Sequence, residues 1–213
     1  ARRITELAEA NPSKKLPVIA STDALVDALE EISDQLPQNV LLPIPSRDAH
    51  RRACDKREFA AACAKLGLPT PRTEVVSLAG AGKPAPCGLP FPVVAKPACT
   101  AEYSHLYEQG FEKVYSFESQ EGLDTLWRRL REAGFDGDFL VQERIDGDDT
   151  HMGALTFYVG RDGSMQAFGA AQTLLEDHAP TMRGNAVAMV CRVWPDLMEK
   201  CQQLVAELGY TGL

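Results

Sequence analysis

The stretch Val94-Ala95-Lys96-Pro97, entered through Pro90-Phe91-Pro92-Val93, decides the fold when it is read with Val141-Gln142-Glu143-Arg144-Ile145-Asp146-Gly147-Asp148-Asp149 further along the chain. The first is an apolar run that ends in a lone cation. The second is an apolar run that ends in a polar hinge with one glycine and a pair of carboxylates. Each alone reads as an ordinary strand whose polar end emerges into water. Facing each other, two such strands make a site for a nucleotide, with the Lys96 ammonium toward phosphate and the hinge beside base and ribose.

Composition frames that reading. The 213 residues are 45% hydrophobic and 24% charged, the proportions of a folded chain long enough for one large or two small domains. With 30 acidic against 22 basic side chains the net charge is -8, which repels nucleic-acid phosphates and anionic lipid. One dense basic cluster, Arg47 to Arg57, is short and interrupted by Asp48 and Asp55, so no nucleic-acid partner is expected. No apolar stretch approaches the ~20 residues of a membrane span, and no charged-then-apolar signal opens the chain. Six cysteines (Cys54, Cys63, Cys87, Cys99, Cys191, Cys201) stand singly, without a C-x-x-C pair or a histidine at zinc-ligand spacing. Free thiols point to the reducing cytoplasm. The chain opens Ala1-Arg2-Arg3 without an initiator methionine and stops at Gly209-Tyr210-Thr211-Gly212-Leu213, where a strand is starting; it reads as part of a longer protein.

The periodicities alternate between helix and strand. Leu25, Leu29, Ile32 and Leu36 lie on one helical face after a Ser21 or Thr22 cap, and residues 39–44 read as a short buried strand. Asp55-Lys56-Arg57-Glu58 has capping-box spacing and opens a helix through Lys65, with Gly67 at its end. The prolines of Gly67-Leu68-Pro69-Thr70-Pro71 then hold the backbone extended, as a linker between domains does. Strands follow at 73–76, up to Lys96, and at 113–117. Next come a helix marked by Leu123, Leu126, Trp127 and Leu130 and closed by Gly134, and a strand at 139–145. A hairpin turns at Arg161-Asp162-Gly163-Ser164 between 155–159 and 165–175. A strand at 186–193 and a helix opened by Pro195 complete the chain. The class is α/β followed by α+β.

Six phrases in order resemble the ATP-grasp superfamily, and the whole chain is similar to a carboxylate-amine ligase of the D-aspartate ligase type. They are Asp55-Lys56, Gly67-Leu68-Pro69-Thr70-Pro71, Val94-Ala95-Lys96-Pro97, Phe111-Glu112-Lys113-Val114-Tyr115, the hinge 141–148, and Leu208-Gly209-Tyr210-Thr211-Gly212. The resemblance implies an ATP-grasp fold, two α+β subdomains gripping ATP, preceded by the end of a Rossmann-like domain. On that basis residues 1–72 close the preceding domain, 73–145 form the small subdomain, and 146–213 begin the large one, ending before its metal-binding strands. ATP and Mg2+ are the implied cofactors, and a small carboxylic acid and an amine the implied substrates.

By the same resemblance Lys56 and Lys96 contact phosphates. A compact ammonium suits that task, and at an effective dielectric near 20 a charge pair at ~4 Å gains roughly 4 kcal/mol before desolvation. Gln142 and Glu143 match the hinge facing the adenine amino group, the Ile145 backbone meets the ring, and Asp149 accepts from the ribose. Apart from the resemblance, Arg183 in the loop before the last strand reads either as an anchor for the substrate carboxylate or phosphate through its fork or as a solvated loop arginine. No metal ligand is assigned within the chain. In place of the family's glycine-rich loop after the second lysine, the segment from Ala98 lacks glycine until Gly110, and its hydroxyls or His105 are left to close over phosphate. The implied reaction is amide formation through an acyl phosphate. A carboxylase or carbamoyl-phosphate-type enzyme and a non-catalytic nucleotide-binding module are the other readings of the same cleft.

Overall fold

The computed structural model describes residues 2–80 and 82–212. The chain runs α1 (Arg2–Glu9), β1 (Leu16–Pro17), α2 (Asp23–Ile32), β2 (Val40–Leu41), α3 (Arg47–Cys54), α4 (Lys56–Lys65), β3 (Thr73–Ser77), β4 (Val93–Pro97), α5 (Thr100–Tyr103), β5 (Tyr115–Phe117), α6 (Gln120–Glu132), β6 (Asp138–Glu143), β7 (Gly153–Val159), β8 (Met165–Glu176), β9 (Ala186–Cys191) and α7 (Pro195–Leu208). It divides into two compact units, one of residues 2–68, 155–170 and 193–212, the other of 69–154 and 171–192.

In the first unit the helix starts are set by side-chain caps. Thr22 Oγ1 accepts the Leu25 amide, Ser46 Oγ that of Ala49, and Asp55 Oδ1 those of Arg57 and Glu58. These amides, Glu58's first, hold the Asp55 carboxyl below the usual carboxylate range. Glu58 does not reach back to complete a capping box; its carboxylate pairs with Arg51. The basic cluster is thus helical and charge-paired: Arg51 also meets Asp48 at 3.0 Å, and Arg57 lies 3.6 Å from Asp55. Helices α3, α4 and α7 pack together around Ala49, Ala62, Cys63, Val205 and Leu208. Arg52 donates to the Glu207 and Leu208 carbonyls at the end of α7, placing a cation where that helix is negative. Two readings shrink here. The strand expected over 39–44 is only β2, paired in parallel with β1, and Leu25 of the α2 stripe is exposed.

The second unit contains a four-stranded antiparallel sheet in the order β3-β6-β4-β5. Its core is one cluster: Val93 and Ala95 of β4, Phe139 and Val141 of β6, Tyr115 of β5, and Leu123, Leu126, Trp127 and Leu130 of α6. The α6 residues follow the three- and four-residue spacing of a single helical face, and Gly134, at φ +80°, turns the chain out of the helix. Phe139 makes edge-on contacts with Tyr103, Trp127 and Phe135 at centroid distances of 5.4, 5.3 and 5.8 Å. The segment after Pro97 is not the open loop expected from its sequence. It forms α5 and a 3-10 helix (Ser104–Gln109), and Tyr103 and Leu106 are fully buried in the core.

The remaining sheet has the order β7-β8-β9. Residues 171–176 of β8 pair antiparallel with β9, with a register shift between Thr173 and Leu175. The turn that joins β7 to β8 is shaped by Asp162, whose Oδ1 accepts both the amide and the hydroxyl of Ser164.

Candidate nucleotide site

Lys96 and Gln142 share one face of the four-stranded sheet. The β4/β6 register sets Lys96 opposite Leu140 and Val94 opposite Gln142, while the alternate residues Val93, Ala95, Phe139 and Val141 turn to the core. Across β3 the same face carries Thr73, whose hydroxyl accepts from Gln142 Nε2 at 2.8 Å. Glu143, the next residue on β6, points to the opposite face. There its carboxylate accepts from Arg72 Nε at 2.7 Å, and this guanidinium holds it below the ordinary carboxylate range. Adjacent strand residues cannot both present side chains to one ligand, so at the Lys96 face Glu143 offers backbone only.

At Arg144 the chain leaves the ladder, with one last bond from the Arg144 amide to the Pro92 carbonyl. Ile145 is 75% exposed, and among the described residues its amide and carbonyl take no hydrogen-bond partner within the chain. A hinge of this kind leaves one donor and one acceptor available to a planar heterocycle. Beyond Gly147, Asp148 caps the 3-10 turn Asp149–His151. The Thr150 hydroxyl and then His151 keep the Asp148 carboxyl low.

Asp149 is tied to a hairpin loop distant in sequence. Its Oδ2 accepts the Glu176 amide at 2.9 Å and lies 3.2 Å from His178 Nε2. That loop, residues 177–185, connects β8 to β9 and carries Arg183. It is closed by the Asp177 amide on the Asn185 carbonyl and by Glu176 on the Gly184 amide. Lys113 holds it from outside, its amide donating to Pro180 O at 2.9 Å and its ammonium to Asn185 Oδ1 at 3.1 Å. Lys113 is itself steadied by a hydroxyl circuit next door. Tyr103 donates to the Glu112 carbonyl, Tyr115 accepts the Glu112 amide, and the two hydroxyls meet at 2.9 Å. Burial, then the Tyr115 contact, pushes the Tyr103 phenol far up.

The second unit thus brings Asp149 to the loop of Arg183 and sets Lys96 and Gln142 on one sheet face, with the hinge at Ile145 beyond the Pro92 end of β4. Lys56 is the first residue of α4, in the first unit. Glu176 and His178, which contact Asp149, and Lys113, which contacts the 177–185 loop, were not singled out from the sequence. Only the hairpin register brings Glu176 and His178 to Asp149, and Lys113 carries no local signal of the loop it holds.

No family model matches the chain. Among curated proteins it is 29% identical over 217 residues to a D-aspartate ligase of Enterococcus faecium (strain Aus0004), covering 99% of this chain and 51% of that protein. The chain therefore spans about half the length of this relative. Among solved structures, a biotin carboxylase–beta-gamma-ATP complex of Campylobacter jejuni superposes with a TM-score of 0.62 at 15% identity, covering 99% of this chain and 46% of that one. A D-alanine–D-alanine ligase of Bacillus anthracis complexed with ATP gives 0.54 at 12% identity, covering 97% and 65%. The chain carries the ATP-grasp fold, and along nearly its whole length its sequence is similar to that of a D-aspartate ligase.

Proposed function

We propose that this chain is the nucleotide-holding part of an ATP-dependent carboxylate-amine ligase acting on an amino acid such as D-aspartate. The observation that carries the reading is the sequence likeness to D-aspartate ligase over 99% of the chain. It is supported by an ammonium and an amide on one sheet face and by a hinge with open backbone groups where β6 leaves that sheet. In this reading Lys56 and Lys96 bind the phosphates, and Gln142, the Glu143 backbone and the Ile145 backbone meet adenine. The second oxygen of Asp149 takes the ribose, its first being engaged by the Glu176 amide. Arg183 orients the carboxylate or phosphate that reacts.

The substrate carboxylate oxygen attacks the terminal phosphorus of ATP, and the bond to ADP breaks. The amine nitrogen then attacks the acyl carbon, phosphate departs with the acyl C–O electrons, and the nitrogen loses a proton to give the amide. No protein nucleophile is required, because positioning and charge stabilisation supply the rate. Nucleotide enters as its magnesium complex. Both three-residue clusters of potential ligands among the described residues include a histidine, a donor set poorly matched to magnesium, so no step is assigned to a magnesium site on this chain. Six free cysteines suit the cytoplasmic setting this reading assumes, and among the described residues no helix is long and apolar enough to cross a membrane.

ADP release by the whole protein, measured with D-aspartate and a panel of acids and amines, tests the proposal. Release that requires both an acid and an amine is the expected result, and none above background across the panel overturns it. The likeness to biotin carboxylase favours one second reading, activation of bicarbonate. Bicarbonate-dependent ADP release without an amine selects it.

A further inference from the structure

Asp27 and Glu30 stand one turn apart on α2, and His50 of α3 comes up against both. His50 Nδ1 lies 3.2 Å from Asp27 Oδ1 and 3.9 Å from Glu30 Oε1, and the three ligand atoms are all within 4.8 Å of one another. The His50 and Glu30 side chains are only 8% and 9% exposed, whereas Asp27 is 67% exposed. Glu30 Oε1 is buried without a hydrogen-bond partner. Its companion Oε2 faces Arg47 Nε at 3.6 Å, a contact that turns the unpartnered oxygen toward His50. A proton on Nδ1 serves Asp27 at 3.2 Å but is out of reach of Glu30 at 3.9 Å, so no protonation state of the histidine satisfies both carboxylates.

We propose that Asp27, Glu30 and His50 bind a divalent ion of the zinc class. Tetrahedral bonds of about 2.0–2.2 Å place ligand atoms about 3.4 Å apart, and the separations of 3.2 and 3.9 Å lie on either side of that value. One imidazole with two carboxylates suits zinc, cobalt or nickel rather than magnesium or calcium. Three protein ligands leave one position open. Asp27, with its side chain 67% exposed, opens one side of the cluster to solvent and gives the ion a route in. The other cluster, Asp149, Glu176 and His178, differs in the deciding respect: the Asp149 oxygen already accepts an amide, and His178 is exposed. It serves as an internal control.

Titration calorimetry of the 213-residue chain with zinc chloride tests the site. The expected result is a single 1:1 isotherm that magnesium does not reproduce. Glu30→Gln and His50→Gln abolish the isotherm, Asp27→Asn weakens it by at least about tenfold, and His178→Gln leaves it unchanged. Asp27 is exposed, so its variant keeps the fold even if the buried substitutions do not. Cobalt bound to the unaltered chain should give a tetrahedral visible spectrum without a thiolate charge-transfer band. Absence of a 1:1 isotherm, equal zinc affinity in Asp27→Asn, loss on His178→Gln, or a thiolate band each overturns the proposal.

Discussion

Replacing Tyr115 with phenylalanine deletes a single oxygen from the hydroxyl circuit behind Lys113. The Tyr103 hydroxyl spends its proton on the Glu112 carbonyl at 2.9 Å, so at the 2.9 Å contact between the phenols Tyr115 is the donor. The Tyr115 oxygen in turn accepts the Glu112 amide at 2.6 Å. Every group in the circuit is paired. The substitution keeps the ring, so almost no cavity forms, but the Glu112 amide loses its acceptor. An unmet buried donor costs about 1–3 kcal/mol, and Glu112 is half-buried, which puts the expected loss near ~2 kcal/mol. At roughly 2–4 °C per kcal/mol for a chain of this size, the melting temperature falls by about 4–8 °C. A double-mutant cycle with Tyr103→Phe should show a coupling of about 0.5 kcal/mol or more. Because Lys113 fixes the 177–185 loop, the Arg183 and Asn185 amides should also exchange faster with solvent deuterium. A destabilisation below about 0.5 kcal/mol, or strictly additive losses, refutes the closed circuit.

Lys96→Ala should weaken ATP binding by about tenfold or more, roughly 1.4 kcal/mol, and an unchanged calorimetric affinity removes Lys96 from the phosphate role. Asp149→Ala should harm ATP binding more than binding of 2′-deoxy-ATP, since the analogue has already lost one ribose donor; equal losses argue against contact with that hydroxyl. Asp55→Ala should destabilise the first unit by about 1 kcal/mol through the lost cap. The native Asp55 carboxyl is held below its unfolded value. Its contribution is therefore complete above about pH 4 and is lost as pH falls through the lower native value, so denaturation curves of the two proteins should converge in acid. Leu130→Ala, at a fully buried α6 position, should cost about 2–5 kcal/mol in urea denaturation.

The elements legible in the sequence were those with strong periodicity or firm punctuation. The runs that became β3, β4 and β6 are apolar and bounded by proline, glycine or charge. The ends of α4, α6 and α7 are marked by Asp55, Pro195 and the glycines at 67, 134 and 209. Helix α3 was hidden because its buried positions include Ala49 and His50, small or polar residues among arginines that read as a solvated charge cluster. The turns after Pro97 escaped because so short a helical segment presents no period, and the burial of Tyr103 and Leu106 is tertiary. In the candidate site, the placement of Lys96 and Gln142 on strands and of Ile145 just past one could be read locally from apolar runs and their polar ends. That Glu143 faces away, and that Glu176 and His178 reach Asp149, follows from strand phase and hairpin register, which no single stretch encodes.

Gly212 bridges to Val159, its amide donating to the Val159 carbonyl at 2.8 Å and its carbonyl accepting the Val159 amide at 2.9 Å. A Cβ at position 212 would lie 2.5 Å from the Pro43 carbonyl oxygen. Residues 43, 159 and 212 therefore meet at a spot that tolerates only a hydrogen in place of a side chain. The order of assembly follows from this. The core of the second unit lies wholly within residues 78–141 and can consolidate early. Helices α3 and α4 can complete their packing on α7 only once synthesis has passed residue 208, with the loop-closure entropy of a long detour opposing that contact.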